Sequence, residues 1–295
     1  MQLNGTSILT FGTTGAQGSG LVPAVTAAGG TAVRVTSRAD QAERWRSAGT
    51  AAVVANLLEP ATVRAAVDGV DAAALHVPLG LGGPDTVTAV LASIAVLRDA
   101  GLPVAVNLGS PVPPPGVPDP FGARGLADAV LATGAVALSP TAYLENHAAP
   151  WALDPISKGE LVYPRPADDT LAWIAAGDLG AAAVAALVQD ISAELLVLAG
   201  PQRLTFDELA AELGAGIGRE LLFRSISPAE YAGLLRPFLG PAADGVEAAY
   251  ASMPQGPNPL MTPHAGPTWD RLGVTPTTAH DWASTVLAGA LRARV

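Results

Sequence analysis

The chain has 295 residues, 49% of them hydrophobic, a formal net charge of -10 and no cysteine. That is ample apolar material for one large or two modest domains. The charge excludes a surface built for nucleic acid, the missing cysteine excludes disulfides and thiolate chemistry, and short apolar runs without a basic leader argue against membrane spans or secretion, leaving the cytoplasm as the expected compartment.

Residues 7–20, SILTFGTTGAQGSG, read as a buried strand that runs into a glycine turn opening a helix. Gly12 lets the chain turn sharply, Gly15 lets backbone N–H groups approach a pyrophosphate, and Gly18 lets the helix pack closely on the sheet. Unpaired N–H groups and the helix dipole then favour a dianionic linker. A helix over 21–28 stops at Gly29-Gly30, and a second strand over 31–36 closes a unit of the length a dinucleotide fold requires.

That strand, TAVRVT, ends in Ser37-Arg38. An enzyme using the unphosphorylated cofactor places a carboxylate here for the ribose 2′-hydroxyl, whereas a hydroxyl and a guanidinium suit a 2′-phosphate. The expected cofactor is therefore NADP(H), with Arg34 flanking the same face. Asp40 and Glu43 read as a capping-box start for a helix to residue 48. A third strand over 51–55 leads into Asn56-Leu57, beside the expected adenine. A helix over 60–67, a fourth strand over 72–77, a helix over 84–100 and a fifth strand over 103–107 continue the alternation, which implies right-handed crossovers and a parallel sheet.

The proline-rich stretch 108–120 cannot be regular helix or central strand, and it lies where open parallel sheets bind ligands. It reads as a substrate-side wall or as an ordered surface loop. A helix over 121–133 and a sixth strand over 135–138 complete a doubly wound Rossmann domain over residues 1–150. Residues 151–295 read as a smaller, mixed substrate-binding part, some segments of which return to the main sheet. There, strands are expected over 171–174 and 194–199, with Asp178 capping a helix between them. Capping boxes begin helices at Thr205 to Glu208 and at Ser227 to Glu230. The Gly- and Pro-rich stretch 237–267 reads as a loop or a lid over a pocket.

These residues carry a likeness along nearly the whole chain. ILTFGTTGAQGSG, VRVTSR, ANLLEPATVRAAVDGVDAAAL, SPTAYLENH at 139–147, AWIAAGDLGAAAVAAL, QRLTFDELAAELGAGIGRELLFRSISPAEY and LGVTPTT at 272–278 stand in the order and spacing of one family. The chain resembles the NmrA-like family of atypical short-chain dehydrogenases/reductases, the group that includes quinone and triphenylmethane reductases. The resemblance implies that NADPH lies across the carboxyl ends of the sheet, with a small acceptor under the C-terminal part. It implies that Gly12, Thr13, Gly15, Ala16, Gln17 and Gly18 hold the pyrophosphate, Ser37 and Arg38 the 2′-phosphate, and Asn56 and Leu57 the adenine. His76, Val77 and Pro78 border the nicotinamide ribose, and Asn146 matches the family's asparagine.

The helix after the fifth strand departs from the superfamily. FGARGLADAVLATG has neither the tyrosine nor the lysine of a Tyr-x-x-x-Lys dyad, and offers Ala123-Arg124 where many relatives keep a lysine. Arginine holds its proton too tightly to exchange it near neutrality. The candidate acids are Tyr143, His147 and His76, with Ser110 as a donor to a substrate oxygen and Trp151 as a pocket wall. No metal-ligand spacing is present. The expected activity is hydride transfer from NADPH to a quinone, enone or other conjugated carbonyl, by a monomer or homodimer. Two readings stand beside it: a non-catalytic NADP(H) sensor acting through a protein partner, and a non-redox isomerase or cyclase.

Overall fold

In the computed structural model, which describes residues 2–77, 83–119, 122–253, 256 and 259–294, short, mostly apolar runs flanked by glycine become the strands of one central sheet. In chain order the strands are β1 Ser7–Thr10, β2 Thr31–Thr36, β3 Ala52–Val54, β4 Ala72–His76, β5 Val104–Asn107, β6 Val136–Pro140, β7 Glu160–Tyr163, β8 Thr170–Ala172, β9 Leu195–Leu198, β10 Arg203–Thr205 and β11 Leu222–Ser225. Seven of them form the sheet in the order β3-β2-β1-β4-β5-β6-β9, every neighbouring pair parallel. The order reverses between β1 and β4, so the crevice beyond their carboxyl ends is the switch point of a doubly wound sheet.

Helices cover both faces. Leu9, Leu75, Val106 and Ala137 pack on one side against the helices α3 Pro60–Arg64, α4 Gly83–Asp99 and α5 Ala123–Ala132, whereas α2 Ala39–Ser47 lies on the opposite face, its Trp45 over Arg34 of β2. On the other side Ile8, Ala74, Ala105 and Leu138 meet α1 Leu21–Ala27 and a helix from the second half of the chain. That alternation of burial is what a period of two requires of a sheet covered on both faces.

The second half adds α6 Pro150–Ser157, α7 Ala176–Val188, α8 Phe206–Gly216, α9 Pro228–Leu239, α10 Ala242–Ser252, α11 Gly266–Leu272, α12 Ala279–Trp282 and α13 Ala288–Arg292, with a π turn over Ala283–Leu287. Of these, α7 and α11 with β9 belong to the main sheet. A Cβ on Gly20 would lie 1.9 Å from the Ala176 carbonyl oxygen, and one on Gly180 would lie 2.3 Å from that of Gly20, so α1 and α7 cross backbone to backbone. The rest surrounds a second core in which Phe206, Leu209, Leu213, Trp282 and Leu287 are sealed from solvent. Two small sheets, antiparallel β8/β10 and parallel β7/β11, edge it.

Three local expectations need correction. Asp40 caps nothing: Arg38 is the N-cap of α2 and makes no side-chain cap bond, while the Asp40 carboxylate pairs with Arg38 and Arg44. Asp178 is not the N-cap of α7, which is Ala175; it lies in the first turn, where its oxygens accept from the Thr277 N–H and hydroxyl at 2.8 and 2.6 Å as well as from the Ala175 backbone. Within the stretch 237–267, residues 242–252 form the helix α10 rather than a loop, since alanine outweighs glycine across them. By contrast, both capping boxes form, at Thr205 and at Ser227. Among the described residues no helix is long and apolar enough to cross a membrane.

Candidate functional site

The glycine turn leaves β1 at Gly12, whose φ of +74 suits glycine, and rises through a single 3-10 turn, Ala16–Gly18, before α1 begins. It does not open α1 directly. Gly12, Thr14, Gly15 and Ala16 form its exposed crest, while Thr13 and Gly18 turn inward. A Cβ on Gly15 would meet only the Gly12 carbonyl oxygen, at 3.6 Å, so the space over the crest is open to a ligand. A Cβ on Gly18 would stand 2.3 Å from that same oxygen. Gly18 is therefore required inside the turn itself rather than for packing a helix on the sheet. Gln17 is half-buried and, with Asn107, lines a cavity of about 10 Å³ beneath the turn.

The flanks of this crevice come from β2 and β4. His76 ends β4 with its Cβ 3.4 Å from where a Gly12 Cβ would be. Its Nδ1 is buried without a hydrogen-bond partner. Burial, opposed by the Asn107 backbone, holds its pKa at about 4, so the ring is neutral at physiological pH. Val77 is buried beside it, and Pro78 lies outside the described residues. One strand over, Asn107 accepts from the Tyr143 hydroxyl at 3.1 Å and from the Gly109 N–H at 2.8 Å. Ser110, buried, keeps an unpartnered Oγ.

On the β2 side, Ser37 and Arg38 are exposed, and the Arg38 fork is occupied by Asp40 at 3.3 and 2.8 Å. Asn56 spends its side chain on its own turn, donating to Glu59 and accepting from the Leu58 N–H. Leu57 gives its carbonyl to Ser93 and its side chain to the core.

The segment 139–147 points inward. Tyr143 is buried, and burial pushes its hydroxyl well above the ordinary tyrosine range, against the pull of the Asn107 bond. His147 is buried against Trp173, ring centroids 4.6 Å apart, with its Nε2 unpartnered. Desolvation holds its pKa at about 3. Asn146 hydrogen-bonds Tyr163, whose hydroxyl in turn meets that of Tyr250. Trp151 packs at 6.0 Å from Phe238. The structure thus brings the glycine turn, His76 and Asn107 together, with Ser110 buried three residues past Asn107. Tyr143 and His147 belong to the two cores, and in this structure neither presents a proton to solvent.

Arg124 answers the question raised by the missing lysine. Its guanidinium donates to the carbonyls of Pro113, Pro114 and Val117 at 2.8–3.3 Å. Asp119 meanwhile caps α5 by accepting from the N–H groups of Ala123 and Arg124. The arginine staples the proline loop and does not face the crevice as a catalytic cation. Residues not singled out from the sequence are Thr14 on the crest, Trp45, and Glu145, a buried carboxyl within the inward segment.

Strand order, parallel pairing and a glycine turn at the switch point define a doubly wound, Rossmann-type α/β protein. No family model and no curated protein matches the chain by sequence. Solved structures match it along nearly its whole length. The NADP(H) complex of Citrobacter sp. triphenylmethane reductase has a TM-score of 0.72 at 16% identity, covering 98% of this chain and 100% of that one. The NADPH complex of an Escherichia coli NADPH-dependent quinone oxidoreductase gives 0.67 at 19%, covering 96% and 100%. A Staphylococcus aureus nucleoside-diphosphate-sugar epimerase gives 0.68 at 16%, covering 95% and 99%. At these identities the likeness shows the fold, which is the one implied by the NmrA-like resemblance.

Proposed function

We propose that the protein is an NADPH-dependent reductase of quinones, enones or other conjugated carbonyl compounds. The observation that carries this reading is the glycine turn at the switch point. Its crest is exposed and open, and its inner glycine is fixed by a 2.3 Å approach that no side chain would permit. The crest residues Gly12, Thr14, Gly15 and Ala16 suit the diphosphate, and arginines stand on the β2 side for a 2′-phosphate. Two solved proteins of the same fold are complexes with NADP(H) or NADPH, which supports the choice of cofactor.

When bound, NADPH supplies a hydride. The chain's own groups then have to orient the acceptor and stabilise the charge arriving on its oxygen. Ser110, whose Oγ is buried without a partner just past the end of β5, is assigned as the hydrogen-bond donor to that oxygen. His76 is neutral at pH 7 and serves as a hydrogen-bonding wall rather than as an acid. The proton that completes reduction comes from water. A quinone or an extended enone delocalises the incoming charge and tolerates this arrangement, whereas a simple ketone needs a stronger donor. This is why a conjugated acceptor fits the residues best.

The test is NADPH consumption by purified protein against a panel of quinones, enones and simple ketones, with calorimetric titration of NADPH alongside. Turnover with conjugated acceptors above the protein-free rate is the expected result. Tight binding without turnover on any acceptor points instead to a nucleotide sensor. Product formed in the absence of nicotinamide points to an isomerase or cyclase, and no binding at all overturns the cofactor assignment.

A further inference from the structure

The two arginines of β2 and its end are in opposite situations. Arg38 is exposed, with 65% of its side chain accessible, and its charge is already matched by Asp40 through a two-pronged contact. Arg34 lies within the strand, half-buried, with its guanidinium carbon 3.7 Å from the centre of the Trp45 ring. Its Nε reaches the Thr13 hydroxyl at 3.4 Å, which ties it to the glycine turn. Among the described residues no carboxylate pairs with it, and desolvation alone lowers its pKa.

A cation stacked on an indole is held in one place, and one without a counter-charge stays available to an anion. Arg34 meets both conditions, and Arg38 meets neither. Trp45 comes from the inner face of α2, where it is buried, so the stack is built into the packing between α2 and β2. Thr13 places the same guanidinium at the inner edge of the turn whose crest faces the crevice.

We infer that Arg34, held by Trp45, is the principal reader of the cofactor's 2′-phosphate, with Arg38 a secondary, solvent-screened contributor that must first leave Asp40. This rests on the NADP(H) assignment above and goes beyond it by moving the specificity determinant into the strand. Trp45 is a positioning residue, acting through Arg34.

The experiment is calorimetric titration of the full-length protein with NADPH and with NADH, for wild type, Arg34→Ala, Arg34→Lys, Arg38→Ala and Trp45→Leu. Circular dichroism and melting on the same samples check the fold. Loss of one charge-assisted contact is worth roughly ten- to a hundredfold in affinity. Arg34→Ala is expected to weaken NADPH by that factor and NADH by less than about threefold. Arg34→Lys keeps the charge without the planar stack, so it should recover part of the loss. Trp45→Leu should lower the NADPH-to-NADH affinity ratio, and Arg38→Ala should lower it less than Arg34→Ala does. The ratio is the deciding readout, because a general loosening of the fold weakens both nucleotides alike. Equal losses for NADPH and NADH on removing Arg34 would overturn the inference while leaving the cofactor assignment intact, as would a larger effect of Arg38→Ala. Wild-type protein that binds neither nucleotide would overturn both.

Discussion

Replacing Glu145 with glutamine is expected to raise stability at alkaline pH relative to its effect near pH 4.5. Glu145 is only 8% exposed. Its Oε1 accepts from the Trp282 indole N–H at 2.9 Å, while its Oε2 is buried without a partner. Burial pushes its pKa up to about 7 from an ordinary 4.5, and the charge of Asp178 adds to the rise. The N–H groups of Ala176 and Trp282 pull the other way and do not win. Because the folded value lies above the unfolded one, the contribution is fully present below about pH 4.5 and is lost as the pH rises through about 7. The distance between the two values corresponds to roughly 3 kcal/mol of lost stability on the alkaline side. Glutamine keeps the acceptor for Trp282 and cannot ionise. Urea melts followed by tryptophan fluorescence at pH 5 and pH 8 should therefore show the variant gaining on wild type by on the order of 2–3 kcal/mol between the two conditions. Any fixed cost of the amide, whose Nε2 inherits an unpartnered site, cancels in that difference. A stability gap that does not change with pH would refute the reasoning.

Gly18→Ala places a methyl group 2.3 Å from the Gly12 carbonyl oxygen, so the turn must open; NADPH affinity measured by titration should fall at least about tenfold, and melting should show a loss of roughly 1–3 kcal/mol. Arg124→Ala frees three carbonyls of the proline loop; limited proteolysis should cut near residues 113–117 faster, with a stability loss of about 1–3 kcal/mol. If the loop is cut no faster, the staple is not what orders it. Thr205→Ala and Ser227→Ala each remove the acceptor at the start of a helix and should each cost about 1 kcal/mol in denaturant melts, additively because the two caps share no partner.

The strands of the main sheet were legible because each is a mostly apolar run with glycine flanking one end, and the two capping boxes because their oxygens act within three residues. Signals that depend on a distant partner were not. Asp40 and Asp178 both sit where a helix start favours a carboxylate, yet one is taken by neighbouring arginines and the other by Thr277, 99 residues away. Arg34 did carry a trace of its situation, as a charge in the middle of the strand TAVRVT. Its partner Trp45 lies in the following helix, and only the packing of α2 on β2 puts the ring over the guanidinium. The helix α10 was hidden by the glycine and proline on either side of it, where alanine content was the better guide.

The segment from Tyr143 to His147 explains why the proposed chemistry rests on strand ends. It bridges the main sheet's core and the C-terminal core, and Tyr143 itself pairs with Ile174. Successive side chains are then sent in different directions. Tyr143 joins the first core and bonds Asn107, Leu144 joins the second, Glu145 reaches Trp282, Asn146 reaches Tyr163, and His147 lies on Trp173. A stretch with four polar side chains that reads as an acid–base cluster is thus occupied in joining two halves of the molecule. Moving Tyr143, Glu145 or Asn146 toward a substrate would break its hydrogen bond to a buried partner, at a cost of about 1–3 kcal/mol each, and moving His147 would break its ring contact with Trp173. What remains is a neutral imidazole at the end of β4, beside the glycine turn, and a buried, unpartnered hydroxyl just past β5. Those two groups can orient an oxygen and share its charge, but they cannot deliver a strong acid's proton at neutral pH. Under the proposed function, an acceptor that delocalises charge by itself is the one such a crevice suits.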